Sequence, residues 1–176
     1  MRAAACCVAL LMASAVVIAD DHSVIFDEDI DFSTFRTFTM REVRMNSDRP
    51  ELNFPAVAET IGESIRTALT KVGLKEVDSR ADLFVECQVT GVDFAIGQFG
   101  RPNAIPPGRG GRRGGRPAPV ADFTEVTMVL DLIRSDTGAL VLRGVYHDEE
   151  KNSQKLVEAL PKDAATLLSK YPKGEQ

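Results

Sequence analysis

The run FTEVTMVLDLIRSDTGALVLRGVYHDE, from Phe123 to Glu149, decides the fold. Val126, Met128, Leu130 and Leu132 alternate with Glu125, Thr127, Val129 and Asp131. Period-two alternation marks a strand with one buried face. Ser135-Asp136-Thr137-Gly138 then interrupts the pattern, and a second apolar run begins at Ala139. Two such runs around a polar turn that ends in Gly predict a β-hairpin.

Upstream, LFVECQVTGVDF places Leu83, Val85, Cys87 and Val89 on one side and Phe84, Glu86, Gln88 and Thr90 on the other. One side is apolar and the other mixed, so the sheet is expected to be covered on a single face. Two stripes at helical spacing can supply the cover. Val57, Ile61, Ile65, Ala68, Leu69 and Val72 form the first. Asn53 is the expected N-cap, with Pro55 in the first turn. Gly73 is the expected left-handed stop, and Leu74 its apolar contact. Leu156, Leu160, Ala164, Leu167, Leu168 and Tyr171 form the second stripe. Pro161 lies inside it and cannot bond the Val157 carbonyl, which predicts a kink, with the stripe in phase on both sides. Pro172 ends that helix.

Ahead of these elements, HSVIF (22–26) is β-prone. In DFSTFRTFTM (31–40), Phe32, Phe35 and Phe38 predict a helical turn leading into a short strand, with all three rings in the core. Arg41 to Asn53 has few apolar anchors and reads as a loop. The fold class follows: α+β, a two-layer sandwich with a mainly antiparallel sheet and two helices packed on one face.

Composition narrows the function classes. Of 176 residues, 44% are hydrophobic, 27% are charged and only 3 are Cys. Wholesale disorder, collagen, a multi-span membrane protein and a disulfide scaffold are excluded. Arg2, the uncharged run Ala3–Ala19 and the acids Asp20 and Asp21 describe a secretory signal peptide over residues 1–19. Cleavage is expected after Ala19, with Ala13-Ser14-Ala15 as a second candidate. An uncleaved anchor is the alternative, because the run is at the short limit for a span. Residues 20–176 then form a single domain with Cys87 as its one thiol. Its expected location is the periplasm or cell envelope, or outside the cell. No transmembrane span remains after cleavage.

Gly97 to Pro119 reads GQFGRPNAIPPGRGGRRGGRPAP. This composition forms neither strand nor helix, and a disordered loop inserted between two strands is expected. The segment holds five arginines and no acid. The whole chain carries −5; setting aside Arg2 and these five arginines leaves −11 for the other residues. Three readings apply: a solvated loop, an anion-binding arm, or a segment that orders on a protein partner. In the second, Arg101, Arg109, Arg112, Arg113 and Arg116 are the anion-binding candidates. For an exported chain, an envelope protein or an acidic envelope surface fits as a partner better than nucleic acid does. Nothing in the sequence fixes an oligomeric state.

Catalytic chemistry leaves little trace. The histidines are His22 and His147. A metal site can be drawn from His147, Asp148 and Glu150, although strand alternation separates neighbours onto opposite faces. No phosphate-loop or nucleophile-elbow pattern occurs. Cys87 falls in an apolar set and reads as a small buried hydrophobe. No catalytic residue, metal ligand or cofactor is assigned. The chain reads as a non-catalytic binding or interaction module. The alternatives are polyanion binding through the arginine segment and a metal-dependent protein or enzyme built on His147.

Asp31, Phe32, Ser33, Phe35, Arg36, Thr37 and Phe38 resemble the Asp-Phe-Ser-aromatic-Lys/Arg-Thr-aromatic opening of domain-of-unknown-function family 4136, small bacterial envelope lipoprotein-like proteins. Ala81-Asp82-Leu83 is similar to that family's Ala-Asp lead into a strand. Thr137 to Gly144 resembles its second hairpin strand, and Tyr171-Pro172 its terminal aromatic-Pro. The resemblance spans about His22 to Pro172. It departs at Met40 and Leu142, where Trp is usual. It departs again at Cys6 and Cys7, which begin the apolar run instead of ending it as a lipoprotein Cys does. The resemblance implies the fold and an envelope location, and it brings no reaction.

Overall fold

The computed structural model describes residues 21–96 and 121–172. The expected leader and the 97–119 segment, with Arg101, Arg109, Arg112, Arg113 and Arg116, lie outside them. In chain order the elements are β1 (Asp21–Phe26), β2 (Thr37–Ser47), α1 (Pro55–Lys71), β3 (Lys75–Glu76), β4 (Leu83–Ile96), β5 (Ala121–Arg134), β6 (Leu140–Glu150) and α2 (Ser153–Ser169). Short 3-10 turns occupy Phe32–Thr34 and Pro50–Asn53.

The strands form one six-stranded sheet in the order β1-β6-β5-β4-β2-β3. Neighbours among the first four are antiparallel, while β2 runs parallel to both β4 and β3. The two helices cover one face. Ile61, Ile65 and Leu69 of α1 and Leu156, Leu160 and Leu167 of α2 are fully buried, together with Val85, Val89, Met128, Leu130 and Tyr146 of the sheet. The α+β sandwich with helices on one side is therefore the observed fold.

Local chemistry explains the boundaries. Gly73 has φ +100°, which suits a residue without Cβ. Its N–H donates to the Thr70 carbonyl at 3.0 Å, and the Leu74 N–H donates to Leu69 at 3.1 Å. This is the two-bond Schellman stop, and the buried Leu74 supplies its apolar contact. At the other end of α1, Asn53 is not the cap. The N-cap is Phe54, without a side-chain bond. The Asn53 amide instead brackets Ser47, accepting from its N–H at 3.1 Å and donating to its carbonyl at 2.7 Å. α2 runs through Pro161 as one element. The Ser64 hydroxyl donates to the Pro161 carbonyl and ties the middles of the two helices together.

The Arg41–Asn53 region differs from the expected loop. β2 continues to Ser47, and a turn of 3-10 helix follows. The cause is a bulge: Met40 pairs with Val85 and Val43 with Cys87, so Arg41 and Glu42 together oppose one residue, Glu86. The inward apolar side chains Met40, Val43 and Met45 are thus spaced three and then two apart. That spacing hides the strand from a period-two reading.

Asp82 pins the start of β4 to the start of β2. One carboxylate oxygen accepts from the backbone N–H of Arg36 at 2.8 Å, and from the N–H and hydroxyl of Thr37 at 2.9 Å each. The Arg36 and Thr37 hydrogen bonds hold this carboxyl below its ordinary range. A depressed folded value contributes stability above the unfolded value of about 3.9, and that contribution is lost as pH falls through the folded one. Asp82→Asn should lower stability at neutral pH and flatten the acid limb of stability against pH. Urea unfolding across acidic pH measures this, and an unchanged acid limb would refute it.

Candidate functional site

The helix-free face of the sheet is where polar side chains gather. The outward residues of β4, β5 and β6 that sequence alternation separates from the core stand here in register. Asp131 is directly opposite Arg143. The Arg143 guanidinium grips that carboxylate with both arms, Nε to Oδ1 and Nη2 to Oδ2, each at 2.7 Å. This bond and the carboxylate charge raise the Arg143 pKa. Arg41 forms an ion pair with Glu86 and also lies over the Phe84 ring, 4.1 Å from its centroid. Between these pairs is a groove of about 290 Å³ whose lining includes Glu42, Arg44, Gln88, Thr90, Thr127 and Val129.

His147 stands on the same face. Its Nδ1 is 3.3 Å from the Thr127 hydroxyl and 3.9 Å from Glu125, and its Nε2 is 4.0 Å from Glu149. Asp148 turns toward the helix side, where it accepts from the buried Tyr146 hydroxyl at 3.0 Å. Glu150 serves the start of α2. It takes the Lys155 ammonium at 3.2 Å and the backbone N–H groups of Lys151 and Asn152 at 2.9 and 3.3 Å. The Lys155 bond is the main cause that lowers its pKa. The trio His147, Asp148 and Glu150 is therefore not brought together. Among the described residues, no group of three His, Cys, Asp or Glu is placed to hold a metal ion. Cys87 is buried, and burial pushes its thiol up to about 12, with Asp131 adding to the shift. That is the behaviour of a packing residue and not of a nucleophile.

Sequence reasoning missed the pairing of His22 with Asp163. Nε2 and Oδ1 are 3.0 Å apart across the junction of β1 and α2. The His22 ring lies 4.9 Å from that of Tyr146, and the Lys170 ammonium donates to the His22 carbonyl at 3.0 Å. A signal was present: Asp163 falls three after Leu160 and four before Leu167, a carboxylate in the middle of an apolar stripe. Nearer the end of the β4–β5 pair, Arg49 reaches Asp93 at 2.6 Å and Thr124 at 3.2 Å.

Among the described residues, no helix is long and apolar enough to cross a membrane. Comparison with solved structures finds the same fold at low identity. A PDZ domain protein from Parabacteroides distasonis is 16% identical with a TM-score of 0.59; the match covers 88% of this chain and 36% of that one. A DUF4136 family protein from Bacteroides thetaiotaomicron is 17% identical with a TM-score of 0.51, covering 88% of this chain and 96% of that one. A PelC dodecamer from Paraburkholderia phytofirmans is similar at 10% identity and a TM-score of 0.51, covering 90% and 100%. No functionally curated protein matches the chain. The family model described as "Domain of unknown function (DUF4136)" matches residues 23–173. With that match spanning most of its length, the chain belongs to the DUF4136 family, whose function is unknown.

Proposed function

We propose that this chain is an exported envelope domain that acts without catalysis, recognising another macromolecule with the helix-free face of its sheet. The observation that carries this reading is the asymmetry of the two faces. One is sealed by α1 and α2. The other presents a shallow polar groove that holds two matched cross-strand pairs, Arg143 with Asp131 and Arg41 with Glu86. Preformed cross-strand pairs hold side chains still for recognition, whereas proton transfer favours groups with perturbed and unmatched charge. The leader pattern of residues 1–19 supports export.

A second reading assigns polyanion binding to the arginines of 97–119. It is favoured by the way β4 and β5 end. Their pairing continues to Ile96 and Ala121, beyond the last β2 partner at Gly91 and the last β6 partner at Thr124. The segment therefore leaves from the tip of a two-stranded ribbon, and its charge opposes that of the acidic remainder.

One experiment separates the two. A photocrosslinking residue replaces Gln88 on the open face or Glu63 on α1, in the full chain and in a chain lacking 97–119, within the native envelope. The open-face reading expects capture from position 88 in both chains and none from position 63. Capture lost with the deletion favours the arginine segment. Equal capture from both positions overturns the open-face reading.

A further inference from the structure

The outer edge of β2 invites a partner that its own sheet does not supply. β3 pairs only with Thr37 and Phe38, and Asn53 brackets Ser47. Among the described residues, no strand lies against the edge between them. A free edge of this kind is a template for another strand. Alongside it runs an open groove of about 760 Å³, between β2 and α1. Met40, Val43 and Met45 line it from the strand, and Ala58 and Gly62 from the helix.

We propose that this edge binds the same edge of a second copy, antiparallel and centred on Val43, to make a two-fold dimer with a continuous twelve-stranded sheet. The pattern of β2 is self-complementary in that register and only there. With Val43 opposite its counterpart, the bulged pair Arg41 and Glu42 of one copy faces Arg44 of the other, because both bulged residues together occupy one position. Arg41 is held by its own Glu86, which leaves Glu42 to meet Arg44. Neither Glu42 nor Arg44 has an ion-pair partner among the described residues, and both line the open-face groove. The two-fold axis repeats the contact, so two opposite-charge pairs form at once.

On the helix side, the same register puts Met45 against Met40 of the other copy, Val43 against Val43, and Met40 against Met45. These three apolar contacts fall on half-buried side chains that pack against the core from the strand edge. Cross-strand pairs of matched charge and matched apolar character are the unit of sheet association. A slip of one residue would set Arg44 against Val43 and turn each face against the wrong one. The bulge, which elsewhere guards an edge, here selects a single register. The proposal does not depend on the open-face reading, since it rests on the β2 rim, although Glu42 and Arg44 also border the open-face groove.

The test is a charge-reversal cycle on the full chain, read by sedimentation equilibrium at tens of micromolar. The parent should have twice the mass of one chain. Glu42→Arg and Arg44→Glu should each give monomer, by setting like charges opposite one another. The double variant restores the opposition with its signs exchanged and should return to dimer. Circular dichroism and melting temperature confirm that each variant is folded, and Arg80→Glu, on an exposed turn, is the charge control. A monomeric parent, single variants that stay dimeric, or a double variant that stays monomeric overturns the proposal. An intact dimer with loss of crosslinking from position 88 would instead count against the open-face reading alone.

Discussion

Phe38→Ala should lower the free energy of unfolding by about 3–5 kcal/mol, the range for emptying a fully buried aromatic site. Phe38 has no exposed surface. It sits where three strands meet, level with Leu83 of β4 on one side and Glu76 of β3 on the other. Its neighbours cannot collapse easily into the space, because the Asp82 hydrogen bonds fix the backbone just before it. Urea unfolding followed by far-UV circular dichroism measures the loss, and the midpoint should fall with little change in slope. A cost under 1 kcal/mol would mean that the site relaxes freely, and the packing described for β2, β3 and β4 would be wrong.

Gly144→Val should cost about 1–3 kcal/mol by overpacking, the second large effect expected. Gly144 lies on the inward side of β6 between Leu142 and Tyr146, directly beneath α2. A Cβ added there would stand 3.1 Å from Leu167 Cβ and 3.2 Å from its Cδ1. The helix must lift or Leu167 must leave its rotamer. The residue that objects is therefore known, and a double-mutant cycle identifies it. In a Leu167→Ala background the valine should cost much less, because the truncation vacates the volume it needs. Equal costs in both backgrounds would show that α2 does not rest on Gly144.

These two residues show what could be read from the sequence. The helix stripes, the hairpin and the buried Phe residues follow from periods of 3.6 and 2, and local chemistry is enough to see them. Asp131 and Arg143 both read as outward charges on the hairpin strands, but a register shift between Leu132 and Ile133 decides that they stand opposite. Three features lay beyond that method. The second half of β2 escaped because one bulge breaks the alternation between Met40 and Val43. Asn53 looks like a cap by position, but an amide can serve two backbone groups elsewhere, and Ser47 claims it. His22 and Asp163 are 141 residues apart, and only the docking of α2 against β1 brings them together. The open face was legible as a polar alternation; its matching of one charge with another was not, because matching depends on which strands become neighbours.

The register also gives the sandwich a polarity. β1 begins at Asp21, level with His147 near the end of β6. The β4–β5 ribbon tip at Ile96 and Ala121 and the first turn of α2 lie toward that same pole. The Ser135–Gly138 turn, the end of α1 and Tyr171 occupy the opposite one. If the polypeptide before Asp21 is fastened to a surface, the domain stands with the β4–β5 ribbon end facing that surface and its hairpin turn pointing outward. The free rim of β2 then stands upright, and two copies fastened to one surface would hold their rims parallel, so the antiparallel pairing needs at least one copy that is not fastened there.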